Sequence, residues 1–195
     1  GGAQETYGVI LYQAAYGKVV GGGYPLAVVA GPADLLGRAD PRASGPAAVY
    51  VSGSQFANAV AVRAALATVR CLREPGVYRR LADFGRGMQA ALQPVLDAEG
   101  TPGRVLAHGP IWHVLPGCTE KGPFTDHQAA MMATAAGRHL VTPLVQEMVR
   151  RGVLAFPRPG RGYIRGYLSL AHTEQDLSDT AEALRAAVRA VAAAK

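Results

Sequence analysis

The sequence predicts an α/β fold in two parts: the end of a larger mixed sheet covered by helices, followed by a small α+β domain. Three observations lead to this prediction. A short apolar run bounded by glycine and proline, at 26–30, is typical of a strand buried on both faces. Two segments between residues 58 and 100 carry apolar residues at helical spacing. After residue 100, short strands and helices are grouped as they are in α+β domains.

The first part begins with a short helical or loop segment at 1–7 and an extended stretch from Gly8 to Tyr16. The run "LAVVA" follows as a buried strand, and Pro32 takes an early position in a short helix. A further buried strand is expected at 48–52. Strands buried on both faces need neighbours that this chain does not supply. The sequence is therefore expected to begin within a domain.

A helix with a clear starting signal closes the first part. Asn58 has the side chain of an N-cap, and apolar residues then recur at helical spacing as far as Leu72. The residues "REPG" at 73–76 interrupt the pattern. We therefore divide the chain into the C-terminal part of a large domain, 1–74, and a small C-terminal domain, 75–195.

The second part is predicted to be a mostly antiparallel sheet covered by helices. Its first helix, 77–100, is amphipathic, and Pro94 is expected to kink it or end it early. Thr173 and Asp176 resemble a capping box at the start of the last helix, with Asp in place of Glu. The elements between them are strands at 104–109 and 111–116, a helical segment at 126–152 with a break before Pro143, and strands at 153–157 and 163–171.

Composition and charge argue against several classes of protein. The 195 residues are 49% apolar but contain no run of 18 apolar residues, so no membrane span is expected. The N-terminus lacks the regions of a signal peptide, and Cys71 and Cys118 lack the spacing of a zinc site or a disulfide framework. We therefore expect a cytoplasmic protein. The net charge is +6, but the arginines are scattered, so no nucleic-acid partner is expected.

Lys18 stands out in the stretch "YGKVVGGGYPLAVVAG" because it precedes a glycine triplet and a short apolar run. A neutral lysine amine is a nucleophile whose main covalent use is a Schiff base, above all with pyridoxal 5′-phosphate (PLP). Gly21–Gly23 would let the backbone approach a bound ring closely, or adopt positive φ. From the residues alone, an ordinary exposed lysine beside a flexible turn remains the alternative.

Four motifs in order carry a resemblance to a known family: "GGAQETYGV", "GKVVGGGYPLAVVAG", "SGSQFANAVAVRAAL" and "LSLAHTEQDLSDT". Together they resemble the class III (subgroup II) PLP-dependent aminotransferases, and most of all the glutamate-1-semialdehyde aminomutase branch. The resemblance spans nearly the whole chain but only the C-terminal half of the family. It implies the C-terminal half of a fold-type I PLP-dependent transferase, with PLP as the cofactor.

The resemblance also implies roles for individual residues. Lys18 matches the lysine that forms the internal aldimine and moves a proton between the substrate's α-carbon and the cofactor's C4′. Gly53 and Ser54 match a Gly-Thr pair that reaches the phosphate of PLP in the other subunit of a homodimer. Backbone N–H groups near Asn58 would also suit an anion. The alternative for Ser54 is a plain turn or cap residue.

Parts of the family's site are not matched by this chain. The family's acid at the pyridine nitrogen, its phosphate loop and its stacking aromatic would all lie before the first residue. Activity is therefore expected only together with the N-terminal half of the enzyme. The family's Pro-Asp is Leu11-Tyr12 here, and its Gly-Asn-Pro is Ala57-Asn58-Ala59, which leaves the substrate class open.

Three arginines are further candidate site residues, and each has an alternative explanation. Arg158, Arg161 and Arg165 flank the strand region 153–171, and one of them is a candidate clamp for a substrate carboxylate. The alternative is that all three are solvated surface arginines. We expect the reaction to use a small-molecule amino donor and acceptor.

The histidines and large aromatic residues give weaker signals. His172 matches the family's histidine near the last strand, with a structural role and a catalytic role both open. His108 and His113 suggest a metal, but no third ligand has suitable spacing, so no metal site is expected. Trp112 and Tyr163 are expected in the core or at an interface rather than on the cofactor.

The sequence thus predicts PLP-dependent amino-group transfer, by an aminotransferase or a glutamate-1-semialdehyde-type aminomutase, with Lys18 at its centre. The alternative is a truncated, non-catalytic interaction subunit that keeps the same fold. A bound PLP would distinguish the two, since it colours a protein yellow.

Overall fold

A computed structural model describes residues 3–121 and 134–194. The chain forms two compact units, with the boundary after Val77. Each unit has its own secondary structure and is described by itself. Among the described residues, no helix is both long and apolar enough to cross a membrane.

The first unit is built from short elements around one longer helix. Its strands β1 (Ala14–Tyr16) and β2 (Val28–Ala30) pair antiparallel, with Ala14 opposite Ala30 and Tyr16 opposite Val28. A 3₁₀ turn, Lys18–Gly21, lies between these two strands. The elements in chain order are α1 (Ala3–Tyr7), β1 (Ala14–Tyr16), β2 (Val28–Ala30), α2 (Ala33–Leu36) and α3 (Ala59–Leu72).

The predicted strands of this unit are only partly present, and the described residues do not bury them. Strand β2 exists, but it is shorter than the predicted 26–30 and is exposed on both faces, with Val29 52% accessible. The segment 48–52 forms no strand, and Tyr50 is 91% accessible. An apolar run is buried only where other elements cover it. In the described part of the chain, β2 pairs with β1 alone and 48–52 pairs with no strand.

Helix α3 begins where the sequence predicts. The side chain of Asn58 caps it, because Oδ1 accepts hydrogen bonds of 3.1 Å from the backbone N–H groups of Val60 and Ala61. Such a cap supplies partners for two of the backbone donors that a helix start leaves open. Ala61 and Ala65 form the buried face of the helix.

The second unit has the predicted α+β architecture. Its four-stranded antiparallel sheet has the order β3-β4-β6-β5, with β3 at Gly103–His108, β4 at Ile111–Pro116, β5 at Phe156–Arg158 and β6 at Tyr163–Tyr167. Gly109 has φ +54° and joins β3 to β4 in a tight turn. The elements in chain order are α4 (Val77–Ala98), β3 (Gly103–His108), β4 (Ile111–Pro116), α5 (Arg138–Arg150), β5 (Phe156–Arg158), β6 (Tyr163–Tyr167) and α6 (Glu174–Ala193).

The core of this unit lies between one face of the sheet and the helices. Trp112, expected in the core or at an interface, is buried there. Gly166 lies directly opposite it on the neighbouring strand, and a Cβ atom at Gly166 would overlap the indole ring. Large side chains that are fully or almost fully buried in this core include Met88, Leu92, Leu96, Val114, Leu144, Met148, Ile164 and Leu184.

The prediction of a break before Pro143 was wrong, and so was the expectation that Pro94 ends its helix early. Helix α4 continues past Pro94 to Ala98, and α5 continues past Pro143 to Arg150 without a break before it. An internal proline costs about 3 kcal/mol, because it removes a hydrogen bond and crowds the preceding turn. Buried apolar residues near each proline offset this cost, at about 1.5–3 kcal/mol for each fully buried large side chain. Residues 126–133 of the predicted helix lie outside the described residues.

The capping box at the start of α6 is confirmed. Thr173 Oγ1 accepts from the backbone N–H of Asp176 at 3.4 Å, and Asp176 Oδ2 accepts from the backbone N–H of Thr173 at 2.6 Å. The Thr173 hydroxyl also donates to Asp176 Oδ2 at 2.8 Å. These bonds favour the ionised carboxylate, so they lower the pKa of Asp176, with the hydroxyl as the largest cause.

We predict that Gly166→Ala destabilises the second unit by about 2 kcal/mol or more, because the new methyl group overlaps the Trp112 ring. Denaturant unfolding followed by the fluorescence of Trp112, the single tryptophan, measures the change. Gly160→Ala is the matched control, since a Cβ atom at Gly160 meets no atom within 4 Å. Equal stability of the two variants would contradict the packing of Trp112 against Gly166.

We predict that Thr173→Ala costs about 1 kcal/mol of stability at neutral pH and raises the pKa of Asp176 toward its ordinary value. A lowered carboxyl pKa contributes stability above its unfolded-state value and loses it as pH falls through the folded-state value. The difference from the parent chain should therefore shrink in acid. Thermal unfolding at neutral and acidic pH measures this, with the exposed Ser178→Ala as control. A difference that stays constant with pH would refute the role of the carboxylate.

Candidate functional site

Lys18 occupies a strained position at the start of a turn. Its φ is +57°, in the left-handed region, and it begins the 3₁₀ turn Lys18–Gly21 immediately after strand β1 and Gly17. This conformation costs a residue with a Cβ atom about 1–2 kcal/mol. The residue is exposed, so the turn presents the lysine at the surface of the unit. Strained residues of this kind are concentrated at functional sites.

The glycine triplet holds this turn against helix α3. Gly21 is buried, and Gly22 has φ +59°. A Cβ atom at Gly22 would lie 2.5 Å from Thr68 Oγ1 and 3.0 Å from the carbonyl oxygen of Ala64. Gly23 also has positive φ, +93°, but a Cβ atom there would meet no atom within 4 Å. The close approach that we expected the triplet to allow is therefore made to a helix of this chain.

Gly53 and Ser54 lie in an exposed loop just before α3. The carbonyl of Gly53 accepts a 2.9 Å hydrogen bond from the N–H of Phe56. A Cβ atom at Gly53 would meet no atom within 4 Å, so packing within this unit does not require glycine there. Ala57, which replaces a glycine of the resembled motif, has φ +53°.

A groove of about 810 Å³ brings this loop and the turn of Lys18 to one surface. Its walls come from 25–28, the loop 52–57 and one face of α3, and they are largely apolar. Ser54 lies in the lining, as does Val20, which belongs to the turn that Lys18 begins. The groove therefore has Ser54 in its wall and is bordered by the turn that Lys18 begins.

These residues fit part of what PLP requires. An exposed lysine supplies the amine, and Ser54 supplies a hydroxyl donor for a phosphate. The expectation about the helix start needs correction, because two of its N–H groups are already bonded to Asn58 Oδ1. An anion near this loop would therefore depend on the hydroxyl and on the loop N–H groups.

The three candidate arginines belong to the second unit and differ in their surroundings. Arg158 ends strand β5, Arg161 ends the 3₁₀ turn Pro159–Arg161, and both are exposed. Arg165 lies in the middle of β6 and is half-buried, with its guanidinium carbon 5.1 Å from the ring centre of Tyr167. Within the described residues, Arg165 therefore has a defined aromatic neighbour.

His172 makes a structural contact. Its Nδ1 accepts a 3.0 Å hydrogen bond from the backbone N–H of Ser169 and lies 3.1 Å from the Ser169 hydroxyl. The N–H of His172 donates to the carbonyl of Ser169, which closes a turn just before α6. These contacts give His172 a structural role, and its catalytic role stays a prediction.

His113 was not singled out as a partner of Arg165 by sequence reasoning, but the structure places the two side by side. They are cross-strand neighbours on β4 and β6. The pKa of His113 is lowered, first by burial, then by the positive charge of Arg165, and then by His108. Among the described residues, no group of three or more His, Cys, Asp or Glu side chains is placed to hold a metal ion.

Comparison with known proteins gives consistent results, although no protein-family model matches the chain. A glutamate-1-semialdehyde 2,1-aminomutase of Thermomicrobium roseum is 33% identical over 192 residues, which are 98% of this chain and 42% of that protein. The enzyme of the same name from Thermus thermophilus is 33% identical over 189 residues, covering 96% of this chain and 42% of the relative.

Solved structures agree with these relatives. An omega-transaminase from Sphaerobacter thermophilus superposes with a TM-score of 0.78 at 28% identity, over 95% of this chain and 40% of that chain. A transaminase with PLP bound has a TM-score of 0.75 at 23% identity, which supports the fold alone. The chain spans about two fifths of the length of the relatives that it matches.

The predicted fold class and family resemblance are confirmed by these two sets of matches. One of the matching structures is described as a transaminase with PLP bound, which agrees with the cofactor that the resemblance implies. By sequence similarity and by fold, the chain therefore matches the C-terminal part of glutamate-1-semialdehyde 2,1-aminomutases and transaminases, as the resemblance to the class III aminotransferases implies.

Proposed function

We propose that this chain supplies the lysine-bearing part of a PLP-dependent amino-transfer enzyme, either an aminotransferase or a glutamate-1-semialdehyde-type aminomutase. The observation that carries the proposal is Lys18, exposed in a left-handed turn that Gly22 holds against α3. Residues 1–74 form the end of the large domain and 75–195 the small domain. Activity requires the N-terminal half of the enzyme, on this polypeptide or on another.

Bound PLP would supply an electron sink for the bonds at the substrate's α-carbon. The Nζ atom of Lys18 would hold the cofactor and then carry a proton to and from that carbon. Ser54 would donate its hydroxyl to a phosphate oxygen, and Gly53 would leave room for the phosphate to approach. In the proposed homodimer, this phosphate belongs to the cofactor of the other subunit.

The substrates are proposed to be a small-molecule amino donor and acceptor with a carboxylate, held by one of Arg158, Arg161 and Arg165. A planar guanidinium matches a carboxylate with two parallel hydrogen bonds. We place the enzyme in the cytoplasm, because Cys71 and Cys118 are both unpaired thiols. The proposal includes neither a nucleic-acid partner nor a membrane.

A direct test is to trap the cofactor on its lysine. The protein is purified with every polypeptide that accompanies it, incubated with PLP, reduced with borohydride and digested for mass mapping. The sequence has three lysines, so the assignment is clear. We expect a phosphopyridoxyl group on Lys18, lost in Lys18→Arg and retained in Lys121→Arg. An adduct that is absent, or that survives Lys18→Arg, would overturn the proposal and favour the non-catalytic interaction subunit.

A second test concerns the turn rather than the amine. We predict that Gly22→Ala lowers the yield of the Lys18 adduct about tenfold, because its methyl group would press on α3 and displace the turn. Gly23→Ala is the matched control: it shares the positive φ but meets open space. The yield of adduct per folded protein is compared in both variants. If the two variants retain equal yields, the close approach to α3 does not position Lys18.

A further inference from the structure

We propose that a cavity in the second unit, beside the start of α6, binds a small primary amine that also carries an oxygen acceptor. The cavity measures about 350 Å³ and is lined by the end of β6, the turn after α5 and the first turns of α6. The inference goes beyond the proposed function and involves neither PLP nor Lys18, so the two proposals fail independently. The polar side chains of the lining belong to Trp112, Arg151, His172, Asp176, Asp179 and Thr180.

The size and the walls of the cavity suit one small molecule. Ligand pockets have volumes of about 300–1,000 Å³ and combine apolar walls with a few polar groups. Here the apolar part of the wall comes from Met88, Val153 and Leu168. Polar contacts made beside such walls are stronger than the same contacts in water, because the local dielectric constant is lower.

The indole N–H of Trp112 is an open donor in this wall. Only 3% of the residue is accessible, and its Nε1 donates to no acceptor in the described part of the chain. Unlike the Nε atom of Arg165, it is not sealed from solvent. A Cβ atom at Gly166 would lie 2.6 Å from Nε1, which places this edge of the ring beside Tyr167 and Leu168 of the cavity wall. A buried indole N–H usually has a partner, so an acceptor that enters the cavity would complete it.

His172 offers a second donor. Its Nδ1 accepts a 3.0 Å hydrogen bond from the backbone N–H of Ser169, so the neutral ring carries its proton on Nε2. This Nε2–H group forms no hydrogen bond within the described residues. The hydroxyl of Thr180 is not available in the same way, because it donates to the carbonyl of Asp176 at 2.6 Å. An oxygen acceptor of the ligand would therefore find its donors in Trp112 and His172.

Two carboxylates provide the site for an ammonium group. Asp176 and Asp179 are three positions apart on α6, and both line the cavity. Asp176 uses Oδ2 to bind Thr173, and Asp179 uses Oδ1 to accept from Gln175 Nε2 at 2.7 Å, so each keeps one oxygen for a ligand. Neither carboxylate forms an ion pair with Lys or Arg in the part of the chain that the structure describes.

The cation nearest to hand does not balance these charges. Arg151 lines the same cavity, but its guanidinium binds Glu147, at 2.6 Å from the carboxylate and 2.9 Å from the backbone carbonyl. Water in the cavity could bind the open donors but would leave the charge of Asp176 and Asp179 uncompensated. A primary ammonium has three N–H donors and a positive charge, which suit two carboxylates. The combination with an oxygen acceptor occurs in amino alcohols and in α-amino acids.

Titration of the purified full chain with two amines tests the cavity. Ethanolamine represents an amino alcohol and L-alanine an α-amino acid; no PLP is added, because it would react with both. The fluorescence and the indole N–H NMR signal of Trp112, the single tryptophan, report binding. We expect Asp179→Asn to weaken the responding amine about tenfold, because a charge-assisted hydrogen bond becomes a neutral one. Propionate, which has no ammonium group, should leave the Trp112 signals unchanged.

Glu182→Gln is the matched control, since it removes an exposed acid of the same helix outside the cavity and should leave binding unchanged. Circular dichroism establishes that each variant is folded. Tighter binding of ethanolamine identifies an amino alcohol as the ligand class, and tighter binding of L-alanine identifies an amino acid; both results support the site. No response of Trp112 to either amine, an equal response to propionate, or equal binding by folded Asp179→Asn would overturn the proposal.

Discussion

Close approach of the Gly22 backbone to helix α3 determines the arrangement around Lys18. No side chain fits between the turn and the helix, because a Cβ atom would lie 2.5 Å from Thr68 Oγ1. Gly22 also needs the left-handed region, at φ +59°, which glycine enters without strain. The turn is therefore held against α3 at its end, by Gly22. At its start, the left-handed backbone of Lys18 costs about 1–2 kcal/mol. The same helix provides one wall of the groove that Ser54 lines.

Structure that depends on neighbouring residues could be predicted from the sequence. Asn58 and Thr173 cap their helices as predicted, because their hydrogen bonds reach only two or three residues along the chain. Burial could not be predicted in the same way. The run 26–30 has the composition of a buried strand, yet its faces are exposed because burial depends on distant elements. Neither Pro94 nor Pro143 ends its helix, for a related reason: packing around each helix outweighs a local preference.

The candidate site, too, could be predicted from the sequence only in part. Lys18, Gly53 and Ser54 were identified by their resemblance to family motifs, and their roles stay predictions. The left-handed backbone of Lys18 leaves no mark in the sequence other than its glycine-rich surroundings. The pairing of His113 with Arg165 depends on the register between β4 and β6, which no local pattern determines. Only their outward positions on alternating strands could have suggested it.

Ala57 stands where the resembled motif has glycine, and its backbone is left-handed. Its φ of +53° is a conformation that costs alanine about 1–2 kcal/mol. The hydrogen bonds on either side explain why it is retained. The N–H of Asn58 donates to the Gln55 carbonyl, and Asn58 Oδ1 binds the start of α3. Relaxing Ala57 would break these bonds, at about 1 kcal/mol each. These hydrogen bonds therefore offset the backbone strain at Ala57, and Ser54 lies in the wall of the groove.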